Sequence, residues 1–296
     1  MSVTDEIKKL KTEKNAVILA HNYQPKEIQD LADILGDSLE LAREAKKTDA
    51  DIIVLCGVMF MAETAKILNP TKKVLIPAPN AGCKLADYVN PAMIKAERKA
   101  YPDAEVVLYV NSTAESKAEA DITCTSSNAV AVCKSLKSKR ILFGPDSNLA
   151  SWVGEQLPEK EIIPLPYGGC CPVHADITPN MAREAKAAGY KVICHPECPK
   201  AVRDECDVVA STGGMLKEAA NADKWAVLTE RDMTYRLKCK YPDKEFRGYE
   251  SAFCENMKLI TPEILRNSLR DETTEVVLSD ALIKGAGKAI ERMLNV

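Results

Sequence analysis

Val17-Ile-Leu-Ala-His21-Asn-Tyr23, Val106-Val-Leu-Tyr109-Val-Asn111 and Val192-Ile-Cys-His195-Pro-Glu197 are three versions of one pattern: a short apolar run closed by polar side chains able to do chemistry. The intervals from Tyr23 to Ser38, Asn111 to Ser126 and Glu197 to Thr212 are equal, and an aspartate stands five places before each hydroxyl residue, at Asp33, Asp121 and Asp207. From those hydroxyls the chain runs on by equal steps to Cys83 and Cys171, and by a step three residues shorter to Cys254. A fixed period of this length is the signature of a repeated small domain, so the chain reads as a triplication. The local likeness of Pro77-Ala-Pro-Asn-Ala-Gly-Cys83 to Pro164-Leu-Pro-Tyr-Gly-Gly-Cys170 would pair Cys83 with Cys170 instead. Counting from the hydroxyl favours Cys171.

Strands are expected at 16–20, 33–36, 51–56 and 73–77, then at 105–110, 121–125, 139–143 and 161–165, then at 190–194, 207–211, 224–229 and 245–249. Helices fill the gaps, including one from Ser38 to Lys47. Alternating helices and apolar, β-branched strands imply parallel sheets covered on both faces. The expected fold class is therefore α/β, with three similar three-layer α/β/α domains. Tyr101-Pro102 and Ala187-Ala-Gly189-Tyr190 mark the junctions, giving repeats over 1–101, 102–188 and 189–262. A tail over 263–296, with a helix near 263–270, a strand over Glu275–Leu278 and a helix over 280–294, is expected to pack back on the first repeat.

Composition narrows the function. The 296 residues are 46% hydrophobic and 28% charged, as in ordinary soluble globular proteins. A net charge of −3, from 40 basic and 43 acidic residues, gives no reason to expect nucleic acid or an anionic membrane as partner. No run is long enough to cross a bilayer, and the first residues lack the apolar core of a signal peptide; the expected location is the cytoplasm. Eleven cysteines, an odd number, then argue for free thiols or metal rather than a disulfide framework. Gly168-Gly169 and Gly285-Ala-Gly287 lack the strand–turn–helix context of a phosphate-binding loop, which disfavours bound ATP or NAD.

Ligands of open parallel sheets bind outside the carboxyl ends of the strands. His21 and Tyr23, Tyr109 and Asn111, and His195 and Glu197 close the first strand of each repeat. If the units pack about an approximate threefold axis, these side chains converge on one cavity. Ser38, Ser126 and Thr212 each open a helix, where capping explains any one of them. Three free helix N-termini side by side would also attract phosphate or carboxylate groups. Cys83, Cys171 and Cys254, one thiol per repeat, suit either a zinc site with an open position or a [4Fe–4S] cluster with one iron not held by protein. A local zinc site from Cys171, His174, Cys194 and Cys198 is disfavoured by Pro196 within Cys194-His-Pro-Glu-Cys198.

His21-Asn-Tyr23-Gln24, Gly36-Asp37-Ser38, Leu108-Tyr109-Val-Asn111-Ser112, Cys124-Thr-Ser126-Ser-Asn128, Phe143-Gly-Pro-Asp146-Ser-Asn148, Cys171-Pro-Val-His174, His195-Pro-Glu197-Cys198, Ser211-Thr212-Gly213 and Cys254-Glu-Asn-Met257-Lys258 together resemble the quinolinate synthase family. They cover almost the whole chain in order. The resemblance implies three α/β domains about a pseudo-threefold axis and one [4Fe–4S] cluster per chain, held by Cys83, Cys171 and Cys254 with one open iron. It implies condensation of iminoaspartate with dihydroxyacetone phosphate to quinolinate in NAD biosynthesis, and a further enzyme as the source of iminoaspartate. His21, Ser38, Tyr109, Asn111, Ser126, His195, Glu197 and Thr212 would bind substrate, and Tyr23, Tyr109, His195 and Glu197 would transfer protons. The competing expectations are a cluster-dependent hydro-lyase of a small hydroxy acid and a zinc-binding structural or sensing module.

Overall fold

The computed structural model describes residues 2–296. Its first unit runs α1 (Val3–Glu13), β1 (Ala16–His21), α2 (Lys26–Gln29), β2 (Ile34–Gly36), α3 (Ser38–Lys47), β3 (Ile52–Cys56), α4 (Met59–Leu68) and β4 (Lys73–Leu75). The second has α5 (Pro91–Ala100), β5 (Glu105–Tyr109), α6 (Ala114–Ala118), β6 (Ile122–Cys124), α7 (Ala129–Ser135), β7 (Arg140–Gly144), α8 (Ser147–Gln156) and β8 (Glu161–Pro164). After α9 (Pro172–Ala175) come α10 (Pro179–Ala187), β9 (Lys191–Cys194), α11 (Lys200–Arg203), β10 (Val208–Val209), α12 (Thr212–Glu218), β11 (Lys224–Leu228), α13 (Met233–Lys240) and β12 (Glu245–Arg247). The chain ends with α14 (Pro262–Asp271) and α15 (Asp280–Leu294).

Each unit carries a four-stranded, all-parallel sheet in the same order: β2-β1-β3-β4, β6-β5-β7-β8 and β10-β9-β11-β12. The expected α/β architecture of three similar units is what the chain forms. The central strands carry apolar runs, as burial on both faces requires; Ile52–Cys56 is apolar and buried at every position.

The repeated aspartates explain the constant spacing. Asp33, Asp121 and Asp207 accept from the backbone N–H of Ile18, Val106 and Val192 at 2.9, 2.7 and 2.7 Å. Each returns its own N–H to the carbonyl of the same residue. Each also pairs with a basic side chain on the helix before its sheet: Lys11, Arg98 and Lys186. These clips fix where the second strand joins the first, and they use no group that faces a ligand.

Two expectations change. Glu275–Leu278 is not a strand: Glu275 makes a single antiparallel bridge to Leu75, flanked by bonds from Val276 to Val74 and from Ile76 to Thr274. Only the edge of β4 is free to pair, and Val277 already points into solvent. The tail also reaches further than the first unit. α14 packs on α1, whereas α15 lies against α4 and against α6 and β6 of the second unit. The Arg292 guanidinium donates to the Asp121 carbonyl at 2.7 Å, and a Cβ at Gly285 would stand 3.1 Å from Ala118 Cβ, which explains the close helix approach.

Candidate active site

The carboxyl ends of the three sheets open on one cavity of about 240 Å³. His21, Tyr23 and Ser38 line it from the first unit, Tyr109, Asn111 and Ser126 from the second, and His195, Glu197 and Thr212 from the third. Cys83, Cys171 and Cys254 line it as well. The strand-end side chains, the hydroxyls and the thiols that the repeat matches therefore line the same space, as expected of packing about a threefold axis, whereas Asp33, Asp121 and Asp207 do not.

The helix N-termini meet at Asp37. Its carboxylate caps α3 by accepting from the N–H groups of Leu39 and Glu40, and its other oxygen accepts from Ser127 Oγ at 2.8 Å. A Cβ at Gly213, in the first turn of α12, would stand 2.8 Å from that same oxygen, so glycine is what lets the third unit approach this closely. Asn22 Nδ2 donates to Thr212 Oγ1 at 3.0 Å, tying the first unit to the third.

The two strand-end histidines are built alike. The N–H of Tyr23 donates to His21 Nδ1, and the N–H of Glu197 donates to His195 Nδ1, two residues on in each case. Nδ1 is thereby an acceptor and the proton sits on Nε2, which in His195 donates to Ser126 Oγ at 3.1 Å. Burial, only partly offset by nearby carboxylates, pulls His21 down to about 4 and His195 to about 3. Both are neutral donors at neutral pH.

Glu197 is the centre of the polar network. Burial opposes its ionised form, but His174 and His195 beside it, with hydrogen bonds from His174 and Tyr109, hold the carboxyl well below its ordinary range. Tyr109 donates to Oε1 at 2.5 Å, and His174 Nδ1 lies 2.9 Å from Oε2. His174 stacks on His195 with ring centroids 4.7 Å apart, and its Nε2 is 2.8 Å from Thr229 Oγ1.

The three cavity thiols lie in an environment that disfavours a bare thiolate. Burial pushes Cys83 up to about 12 and Cys171 to about 11, and raises Cys254 too. Cys171 faces the cavity; Cys170 does not and meets Tyr88. Asp146 accepts from the Cys171 N–H at 3.3 Å, and Glu230 from that of Cys254 at 3.4 Å. The Lys258 ammonium, within 2.8 Å of Glu230, also donates to the Tyr23 carbonyl at 2.5 Å and so fixes the Cys254 loop against the first unit. Cys194 and Cys198 belong to the third unit's own core and do not line the cavity, so the local four-ligand zinc site does not assemble. The only close group of three metal-binding side chains among the described residues is Cys171, His174 and Glu197, with ligand atoms within 4.8 Å of one another.

Counting repeats missed His174, Thr229, Glu230 and Lys258. His174 entered the sequence reading only through the Cys171-Pro-Val-His174 motif and as a ligand of the disfavoured local zinc site. Thr229 carries no such signal.

A family described as "Quinolinate synthetase A protein" matches residues 5–295. Proteins described as quinolinate synthase are similar over nearly their full lengths. That of Pyrococcus horikoshii is 51% identical over 100% of this chain and 99% of its own. That of Pyrococcus furiosus is 52% identical over 98% and 96%, and that of Methanothermobacter thermautotrophicus 49% over 98% and 97%.

Proposed function

The chain belongs to the quinolinate synthetase A family, and on that premise we propose that it condenses iminoaspartate with dihydroxyacetone phosphate to quinolinate, releasing phosphate and water. As a quinolinate synthase it is an enzyme of NAD biosynthesis. The observation that carries the fuller reading is the single cavity into which each unit sends matched strand-end side chains, one hydroxyl at or just before a helix, and one thiol.

The thiol set fits a cationic cofactor. Three partly buried sulfurs whose ordinary acidity is suppressed by burial need a metal to be held as thiolates, since coordination deprotonates a thiol outright. Cys83, Cys171 and Cys254 would hold a [4Fe–4S] cluster. Such a cluster, when bound, supplies one iron free of protein ligands as a Lewis acid.

The chain's own residues supply the rest. Ser38 and Thr212, the first residues of α3 and α12, with Ser126 in the turn before α7 and Asn111, would hold the carboxylates and the phosphate by neutral donors. Asn111 lines the cavity, and its Oδ1 is buried without a partner. His21 presents Nε2–H to a substrate oxygen, and His195, whose Nε2–H is given to Ser126 Oγ, orients that hydroxyl, neither adding charge. Glu197, ionised and hydrogen-bonded on both oxygens, is the group that accepts a substrate proton; Tyr109 at Oε1 and Tyr23 across the cavity are the donors that face it. Iminoaspartate comes from another enzyme in this reading.

The test is an assay of protein purified without oxygen, given iminoaspartate and dihydroxyacetone phosphate, with quinolinate read by chromatography. Quinolinate in proportion to enzyme supports the proposal; turnover of a hydroxy acid with no quinolinate overturns it. A second reading, a single zinc ion on Cys171, His174 and Glu197, is favoured by their short mutual distances. Zinc without iron in active protein would establish it.

A further inference from the structure

Lys117, on the short helix α6 of the second unit, is the one lysine wholly shut off from solvent among the described residues. Lysine is almost never fully buried unless it is paired. Its ammonium donates to the Ser112 carbonyl and stands over the Phe60 ring, 5.4 Å from the centroid. Neither of these partners is a carboxylate. Phe60, on α4 of the first unit, lines the cavity together with Cys83. The same helix α6 meets the segment that follows Cys83, because Ser116 Oγ donates to the Val89 carbonyl at 3.2 Å. It also meets α4, where Glu63 accepts from the Ala114 N–H at 2.9 Å. Lys117 therefore stands behind the Phe60 part of the cavity wall, on the side of Cys83.

An ammonium resting on one carbonyl and one ring is costly to bury, and negative charge nearby offsets the cost. Burial pulls Lys117 down to about 8, against the charges of Glu63, Cys83 and Glu115, which favour its ionised form, so the group is charged at neutral pH. The cavity thiols are the complementary case. Burial keeps Cys83, Cys171 and Cys254 protonated until a metal takes their protons. A cluster held by three thiolates gathers negative charge where none stood before, and net charge is one of the quantities that set its reduction potential. In a dry wall a fixed cation acts on that charge far more strongly than it would in water.

We propose that Lys117 is the buried counter-charge of the thiolate-held cluster: held behind Phe60 by the Ser112 carbonyl, its ammonium offsets the negative charge gathered at Cys83 and makes the loaded site easier to reduce. The inference rests on the reading of the cavity as a cluster site. Lys117 acts through space and is no part of the proton-transfer groups. A lysine kept only for packing would leave the potential alone, whereas a counter-charge moves it in a direction fixed by sign.

The experiment is a dithionite titration with redox mediators at neutral pH, in which the cluster takes up one electron and no bond breaks, followed by visible absorbance and electron paramagnetic resonance. It compares cluster-loaded wild type with Lys117→Met, which keeps the stem and loses the charge, and with Glu63→Gln, which keeps an acceptor for the Ala114 N–H. Lys117→Met should shift the reduction equilibrium about tenfold against the reduced state, a potential lower by about 59 mV for one electron. Glu63→Gln, which removes a negative charge from the same region, should raise the potential by a smaller amount. If circular dichroism and iron content show that Lys117→Met folds poorly or loads no cluster, Glu63→Gln decides alone. A potential at or above the wild-type value in Lys117→Met, or at or below it in Glu63→Gln, overturns the counter-charge role. Wild type that takes up no iron would instead remove the reading on which it rests.

Discussion

The first and second sheets share one buried apolar cluster, running from Ile18 and Val54 through Val107 and Phe143 to Ile290 and Met293 of α15. The third sheet keeps two small clusters of its own, one around Val192 and Ala226 and one around Ile193 and Trp225. Much of what ties it to the other two is polar. Arg203 of α11 reaches the Asn148 carbonyl, Ser151 and Glu155 of α8; Gln29 donates to the Asp232 carbonyl; Asn22 meets Thr212 and Tyr23 meets Thr229. Apolar burial is non-directional, whereas hydrogen bonds in a dry interior are directional and penalised when misaligned. The seam around the third unit is therefore where orientation is specified, and that is where Glu197, His174 and His195 stand.

The contrast gives predictions that would break it or sharpen it. At the seam, Glu197→Gln should lower kcat by roughly 10²- to 10⁴-fold, the range of a lost proton-transfer group, while the thermal midpoint moves little; wild-type turnover would take Glu197 out of the chemistry. In the shared core, Ile290→Ala should do the reverse, costing about 2–5 kcal/mol of stability by denaturant titration with kcat per folded molecule unchanged. Arg203→Ala strips a buried guanidinium from three partners on α8 and should cost about 1–3 kcal/mol. Hydrogen exchange should then quicken at α11 and α8 together, and protection kept at both would show that apolar contacts suffice to seat the third unit.

The smallest effect per step is in pH. His21 and His195 have folded pKa values lowered by burial to about 4 and about 3, so between about 6.5 and 4 the unfolded chain binds protons that the folded one does not. Stability should fall as pH drops through that window, by roughly 1.4 kcal/mol per unit for each histidine. Thermal midpoints against pH should lose one histidine's share of this slope in His21→Asn. An unchanged slope would assign the acid sensitivity elsewhere.

The fold was legible because each unit obeys the same local rules: an apolar strand, a turn clipped by an aspartate, a capped helix. The tail was less so, because Glu275 pairs only with a free edge and nothing in Thr274-Glu-Val-Val277 distinguishes one bridge from a strand. The site was legible wherever a residue has counterparts in the other repeats, which is why Glu197, Asn111 and the cavity thiols emerged by counting. Thr229 does not have them: sheet register puts Gly57 and Pro145 at its place in the other units. His174 likewise corresponds by offset to Ala86 and Met257, neither able to carry a proton. The repeat is broken at those positions, and only three-dimensional packing brings Thr229 to His174 and His174 to Glu197.

The central claim is that each unit lends one thiol to a single cluster in the shared cavity. It is tested most directly by iron and sulfide content, with the visible spectrum, of protein purified without oxygen as wild type, Cys254→Ser and Cys170→Ser. The account predicts about four irons per chain, as a [4Fe–4S] site requires, and a brown colour in the wild type and Cys170→Ser, both lost in Cys254→Ser. A colourless wild type holding zinc, or a cluster that survives in Cys254→Ser and disappears in Cys170→Ser, would contradict it.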